Sequence, residues 1–386
     1  MKQYWNVFWT AFRLGCTSFG GPAAHIGYFR NEYVTKRKWL DEKSYADLVA
    51  LANFLPGPAS SQVGIAIGTM RAGIIGGFFA WLGFTLPSAL VLALFAMLVK
   101  TYRLDGAAWI HSLKLVAVVI VAQAVFDMGK KLAPDRIRQT IILGAAAAVL
   151  WFSTPYMQII VLLLSGIIGY MAYRKTADTT EEKVSFVLSK RAGGIAFFLF
   201  FALLFLLPVA GASISSPMLQ LFDIMYRTGA LVFGGGHVVL PLLENEIVRT
   251  SLMNKEIFLA GYGLTQAMPG PLFTFSSYIG TTMYGIGGAA TAVIGIFLPA
   301  FLLIIGGLSF WNTMHHNKII RTALVGVNAG VVGILLAALY DPIFTSSVKT
   351  VIDAVLVLVY FALFSIWKLP PWALVLVALL CGVVVL

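Results

Sequence analysis

The sequence predicts an all-α integral membrane protein made of two homologous multi-helix repeats whose helices are broken by proline and glycine. Three observations lead there: a charge-poor composition, an internal duplication, and a Pro-Gly-Pro triplet inside an apolar run of each copy. Of 386 residues, 59% are hydrophobic and 11% charged, with a mean hydropathy of +0.88. Soluble domains carry about 25% charged residues, because a folded globule needs a wetted surface. A chain this poor in charge cannot cover itself with polar groups, so lipid must be part of its solvent.

The net charge of +11 sits in short segments between apolar runs. There it serves topology and anionic lipid headgroups rather than nucleic acid. Cys16 and Cys381 lie far apart in apolar stretches and suggest neither a disulfide framework nor a metal site. Arg13 interrupts the first apolar stretch, so a cleavable signal peptide is not expected.

The duplication is read residue by residue. Arg13, Gly15, Phe19, Gly20, Gly21 and Pro22 are answered in the same order by Arg227, Gly229, Phe233, Gly234, Gly235 and Gly236. Asn31-Glu32 returns as Asn245-Glu246, and Pro56-Gly57-Pro58 as Pro269-Gly270-Pro271. Gly68, Gly73, Gly76 and Pro87 match Gly280, Gly285, Gly288 and Pro299. The expected organisation is a first repeat over 1–173, a polar linker over 174–194, an extra connecting membrane segment over 195–216, and a second repeat over 217–386.

Apolar runs long enough to span fall at 4–22, 46–70, 72–99, 107–126, 139–152 and 155–173 in the first repeat. The second shows them at 217–236, 257–281, 286–309, 319–340, 348–367 and 370–386, with one unpaired run at 195–211. An odd extra crossing would make the second repeat enter from the opposite side, giving an inverted repeat. If the Pro-Gly-Pro segments re-enter instead of crossing, the parity reverses, and the lysine and arginine distribution does not decide; the inverted repeat is the expected arrangement.

Several residues in this frame are candidates for chemistry. Arg13 and Arg227 sit mid-run in the first span of each repeat, where an arginine costs about 2.5–3.5 kcal/mol on insertion scales. One reading is a pair of fixed charges for an anion, suited by the planar guanidinium to oxyanions; the other is snorkelling or helix pairing. The clusters Gly20-Gly21-Pro22 and Gly234-Gly235-Gly236 end those spans and can expose helix-end N–H groups to an anion, or serve close packing. Pro56-Gly57-Pro58 and Pro269-Gly270-Pro271 cannot lie in unbroken helix, and matching breaks in two halves point to a transporter's binding site; a structural kink is the alternative. Asn53 and Gln266 precede the breaks and Ser60, Ser61 and Thr274 follow, offering uncharged hydrogen bonds.

His25 and His237 follow the glycine clusters, either to handle a proton or to cap a helix at the membrane edge. Glu32 and Glu246 are expected to face the aqueous interface. Lys114 and Asp223 are secondary candidates, and His315-His316 reads as surface. Gly64/Gly68, Gly73/Gly77 and Gly326/Gly330 read as helix-packing pairs. No cofactor or metal is expected.

The Arg-x-Gly-x-x-x-Phe-Gly-Gly-Pro start, the following Ala24, His25, Ile26 and Gly27, and the Pro-Gly-Pro of each half resemble the chromate ion transporter family in its long, two-domain form. The resemblance covers nearly the whole chain. It implies a multi-pass prokaryotic plasma-membrane protein exporting chromate on the proton gradient, with sulfate as a mimic. Gly236-His237 stands where the first half has Pro22 to His25, so the resemblance does not give the two histidines equal roles. A passive anion channel and a transporter of another small anion such as sulfate remain alternatives, and a homodimer is left open. An intramembrane enzyme would need a paired catalytic constellation, and neither that nor a Walker-type loop is found.

Overall fold

The computed structural model describes residues 2–102, 108–152, 157–174, 188–214, 216–233, 236–315 and 318–384, and every regular element among them is helical. The first repeat contributes α1 (Lys2–Thr17), α2 (Gly21–Phe29), α3 (Glu42–Phe54), α4 (Ala59–Tyr102), α5 (Ala108–Leu132), α6 (Arg136–Trp151) and α7 (Met157–Tyr173). After α8 (Lys190–Ser213) come α9 (Pro217–Leu231), α10 (Val239–Leu243), α11 (Lys255–Thr265), α12 (Phe275–His315), α13 (Lys318–Ala338), α14 (Thr345–Ser347), α15 (Val351–Phe361) and α16 (Pro371–Val384). Most of the expected linker lies outside the described residues. Five described segments are long and apolar enough to cross a membrane: 59–101, 111–132, 190–211, 272–310 and 318–347.

The duplication recurs in three local geometries. α2 runs into a π-helical turn at Arg30–Lys36, and α10 into one at Glu244–Val248. Asp41 caps α3 through the Ser44 N–H, and Asn254 caps α11 through the Glu256 N–H. Within α4 the helical course fails at Ala72 and Gly73 (φ +67), and within α12 at Tyr284 and Gly285 (φ +66).

These last two sites are reversals. Eight residues along a straight helix span about 12 Å, yet a Cβ on Gly68 would lie 2.5 Å from the Gly76 carbonyl oxygen, and one on Gly280 would collide with Gly288. The chain therefore doubles back at each site. Gly68 and Gly76 let the two arms touch, and Gly73 makes the turn. This corrects the sequence expectation for Gly73, which read it as a packing glycine.

The chain divides into two compact units, each drawing on both repeats. The first takes residues 1–101, 181–236 and 268–314 and so holds α1 to α4, α8, α9 and α12. Its core gathers Phe29, Tyr33, Leu48, Leu51, Phe84, Tyr226 and Ile304. α1 packs on the second arm of α4 with Gly15 against the Phe84 carbonyl, and α9 packs on α12 with Gly229 against the Ile296 carbonyl. Any side chain at either glycine would drive the helices apart.

The second unit takes 102–180, 237–267 and 315–386. Gly169 on α7 meets Gly326 on α13 backbone to backbone, Gly330 meets Ser165, and Gly333 meets the Ile142 carbonyl of α6. The small-residue packing expected of Gly326/Gly330 is thus present.

Candidate functional site

The candidate site lies in the first unit, where the broken segments of the two repeats meet. α1 ends at Thr17, and the Ser18 N–H closes its last turn on the Leu14 carbonyl at 2.8 Å. The chain then passes through Gly20 (φ +96) and Gly21 (φ +75), left-handed conformations that glycine adopts without strain. α2 starts there with a proline in its first turn and no side-chain cap. Pro56-Gly57-Pro58 breaks the apolar run between α3 and α4, with Gly57 at φ +116. Gln62 Nε2 steadies it by donating to the Pro56 carbonyl at 2.8 Å.

His25 ties these pieces together. It is 1% exposed, with Nε2 3.2 Å from the Ser18 carbonyl and Nδ1 3.2 Å from the Ser60 hydroxyl. A carbonyl only accepts, so Nε2 carries the hydrogen and Nδ1 accepts from Ser60. The ring stands edge-on to Phe84, with centroids 5.3 Å apart. The second turn of α2 therefore lies beside the first turn of α4, joined through one imidazole.

The two repeats then exchange hydrogen bonds reciprocally. The Gly57 N–H of the first break donates to the Val232 carbonyl at 2.6 Å, just past the end of α9. The Gly270 N–H of the second break donates to the Ser18 carbonyl at 2.9 Å, just past the end of α1. Val232 and Ser18 occupy matching places in the duplication, as do Gly57 and Gly270. Each triplet also abuts the other repeat's long helix. A Cβ on Gly57 would sit 3.1 Å from the Ala300 Cβ, and one on Gly270 would sit 2.9 Å from the Ser88 Oγ.

Ser88 and Ala300 are near the middle of helical arms of about 43 Å, set against a hydrocarbon core of about 30 Å. The breaks therefore belong to the membrane's middle depth. Unwound backbone is tolerated there only when protein or a watery cavity satisfies it, and the crossed N–H bonds do part of that work.

The arginines are committed to carboxylates. Arg13 pairs with Glu32 at 2.7 Å, and the same carboxylate accepts from Arg37 Nε at 2.7 Å. Glu32 is buried at 4% exposure, against the expectation that it faces water. The π-helical turn swings it inward, where three cations, Arg13, Lys36 and Arg37, surround it. Arg227 pairs with Asp223 one turn earlier on α9, at 2.9 Å. In the second repeat Glu244 is buried and lies 3.5 Å from Arg249, while the sequence match Glu246 is half-buried.

The remaining candidates divide. Asn53 is exposed and spends Nδ2 on the Val49 carbonyl of its own helix. Thr274 is buried, and its only hydrogen goes to the Pro271 carbonyl at 2.7 Å. Ser61 is buried beside Ser60 with its hydroxyl unpartnered. His237 and Gln266 lie in the second unit, where His237 Nδ1 is 3.0 Å from the Tyr262 hydroxyl. Gly236 packs against Leu272, whereas Gly234 and Gly235 lie outside the described residues. Lys114 is buried on α5 with the carboxylates of Glu256 and Asp353 acting on it, and Asp353 lies 2.7 Å from His111 Nε2. Among the described residues no group of metal-ligating side chains occurs.

Helices broken at matching positions in two repeats are a feature that many membrane transporters share. The chain belongs to the chromate transporter family, whose model matches residues 5–170 and again 219–383. It is 30% identical to an uncharacterized transporter of Methanocaldococcus jannaschii, over 86% of this chain and 82% of that protein. It is 28% identical to the chromate transport protein of Pseudomonas aeruginosa, over 88% and 81% respectively. A probable chromate transport protein of Synechococcus elongatus is 25% identical over 100% of this chain and 95% of its own length. No solved structure matches the chain. Members of this family are transporters, not enzymes.

Proposed function

We propose that this protein is a secondary transporter that exports chromate across the plasma membrane of a prokaryotic cell, driven by the proton gradient, with sulfate as a competitor. The observation that carries the reading is the reciprocal pairing of two Pro-Gly-Pro breaks at mid-depth, in a chain whose relatives include chromate transport proteins. The Gly20-Gly21 and Pro56-Gly57-Pro58 segments open α2 and α4 side by side, so two positive helix ends serve one anion. Pro269-Gly270-Pro271 closes the same crossing from the other repeat. Arg13, Lys36 and Arg37 outnumber the one carboxylate of Glu32 and supply positive potential at one flank, whereas Arg227 is balanced by Asp223. An inverted-repeat arrangement supports alternating access to this crossing.

The test is labelled chromate uptake into inside-out membrane vesicles, with and without a proton gradient and with excess sulfate. Gradient-dependent uptake that sulfate suppresses is the expected result. Flux that ignores the gradient would make the protein a passive anion channel, and no uptake beyond empty vesicles would remove chromate as its substrate.

A further inference from the structure

Five buried side-chain atoms without a hydrogen-bond partner belong to residues at the crossing of the two repeats: Ser18 Oγ, Ser61 Oγ, Thr85 Oγ1, Ser276 Oγ and Gln62 Oε1. None of these residues is more than 2% exposed. Bonds of these residues' backbones or of their neighbours bring each of them to the crossing. Ser18 supplies the carbonyl that holds Gly270 and His25. Ser61 is in the first turn of α4, next to Ser60. The Thr85 carbonyl accepts from Ser88, whose hydroxyl adjoins Gly270. Ser276 opens α12 beside Ser277, which bonds the Ala89 carbonyl of α4.

A hydroxyl buried without a partner has given up its bonds to water and gained nothing in return, so native proteins keep few of them. Four hydroxyls around one crossing call for a shared occupant. The start of α4 is tied to α2 through the His25–Ser60 contact, and α2 has no side-chain cap. Hydroxyls and helix-end N–H groups are donors without formal charge. They bind a dianion firmly enough to admit it and weakly enough to release it, which a carrier requires.

We propose that the hydroxyls of Ser18, Ser61, Thr85 and Ser276, with the first-turn N–H groups of α2 and α4, are the direct ligands of a tetrahedral oxyanion. This rests on the transport reading above and names its binding groups. Gln62 Oε1 only accepts, and is left to water or to a proton that accompanies the anion.

The reading makes a demand that a structural role would not. If these hydroxyls await an anion, removing one takes away a desolvation penalty in the empty protein and a bond in the loaded one. Ser18→Ala, Ser61→Ala, Thr85→Val and Ser276→Ala are compared with Thr274→Val, whose hydroxyl is already bonded. The purified full chain in detergent is melted with and without sodium sulfate or chromate, and KM is taken in the vesicle assay. The expected result is an unchanged or higher melting temperature without anion, a lost anion-induced rise, and a KM raised at least tenfold. Thr274→Val is expected to melt lower and keep the anion-induced rise.

Hydroxyl variants that melt lower without anion, or that keep both the rise and the KM, would overturn the assignment while leaving transport intact. A wild-type protein that neither transports nor is stabilised by either dianion would overturn the transport reading and this assignment with it.

Discussion

The two broken regions share a plan and differ in how tightly each is bound into the protein. In the first repeat, His25 is enclosed and joins the end of α1, the start of α2 and the start of α4. In the second, His237 is half-buried and meets one hydroxyl, that of Tyr262. Arg13 reaches off its own helix to Glu32, which has other cations beside it, whereas Arg227 pairs with Asp223 on the same helix. Glycine at the centre of the first triplet abuts two side chains, the Ala300 methyl and the Gln62 amide; at the second it abuts the Ser88 hydroxyl and the backbone carbonyls of Phe84 and Gly15. Duplication has kept the backbone exchange of hydrogen bonds and let the side chains around it diverge. What both copies need is the crossed N–H bond, and what distinguishes them is how much each surrounding can yield.

The central glycines should test that difference hardest. Gly57→Ala forces an alanine to φ +116 and puts its Cβ 3.1 Å from the Ala300 Cβ. Left-handed backbone costs about 1–2 kcal/mol and overpacking about 1–3 kcal/mol, so a loss of several kcal/mol and of chromate transport is expected. Gly270→Ala carries a similar backbone cost at φ +92; Ser88 can turn its hydroxyl away, but the Phe84 and Gly15 carbonyls at 3.3 and 3.4 Å are backbone and cannot. It should melt lower than Gly57→Ala, where the Gln62 amide can move aside, and should lose uptake as well. Equal melting temperatures would mean that the two surroundings do not differ in compliance.

The arginine pairs come next. Removing Arg227 leaves Asp223, 6% exposed, without its charge partner in the ion pair. Breaking a buried pair on one side costs about 3–5 kcal/mol, and Asp223→Asn with Arg227→Gln should recover most of it. Arg13→Gln leaves Glu32 still paired with Arg37 at 2.7 Å, and the Arg13 side chain is 59% exposed. Its loss should cost about 1 kcal/mol or less. Thermal melting of the three variants in detergent measures the contrast. An Arg13→Gln as damaging as Arg227→Gln would remove the distinction between a shared and a private partner.

The helical class, the duplication and the breaks are legible in the sequence because each rests on local chemistry. Apolar runs, repeated Gly20-Gly21 and Gly57 contexts, and paired prolines state their conformations without reference to partners. The reversals at Gly73 and Gly285 leave a signal too, a repeated glycine between Gly68 and Gly76, but it reads equally as packing until the backbone is seen. Three-dimensional facts are less accessible. That Ser18 and Val232 would accept from Gly270 and Gly57 depends on how the repeats cross, which no spacing records. Glu32 looks like a surface residue until a π-helical turn rotates it inward, and in the corresponding turn of the second repeat the buried glutamate is Glu244. The orphaned hydroxyls of Thr85 and Ser276 lie in unremarkable helical sequence.

The smallest effect that still separates the two regions is at the histidines. His25→Gln removes a ring that bridges a carbonyl and a hydroxyl in a closed space, and glutamine can reach one partner but not both at imidazole geometry. Leaving a buried donor or acceptor unpaired costs about 1–3 kcal/mol, and the looser α2–α4 junction should raise the KM for chromate as well. His237→Gln gives up one bond at a half-buried position, worth about 1 kcal/mol, and should leave the KM within a few-fold of wild type. Ser60→Ala offers an internal check. It removes only the hydroxyl that His25 Nδ1 accepts from, so it should lower stability less than His25→Gln while moving the KM in the same direction. A His237→Gln protein that loses transport with its stability intact would reverse the ranking. It would move the chemically active histidine to the second repeat and leave His25 as the clasp that holds the first together.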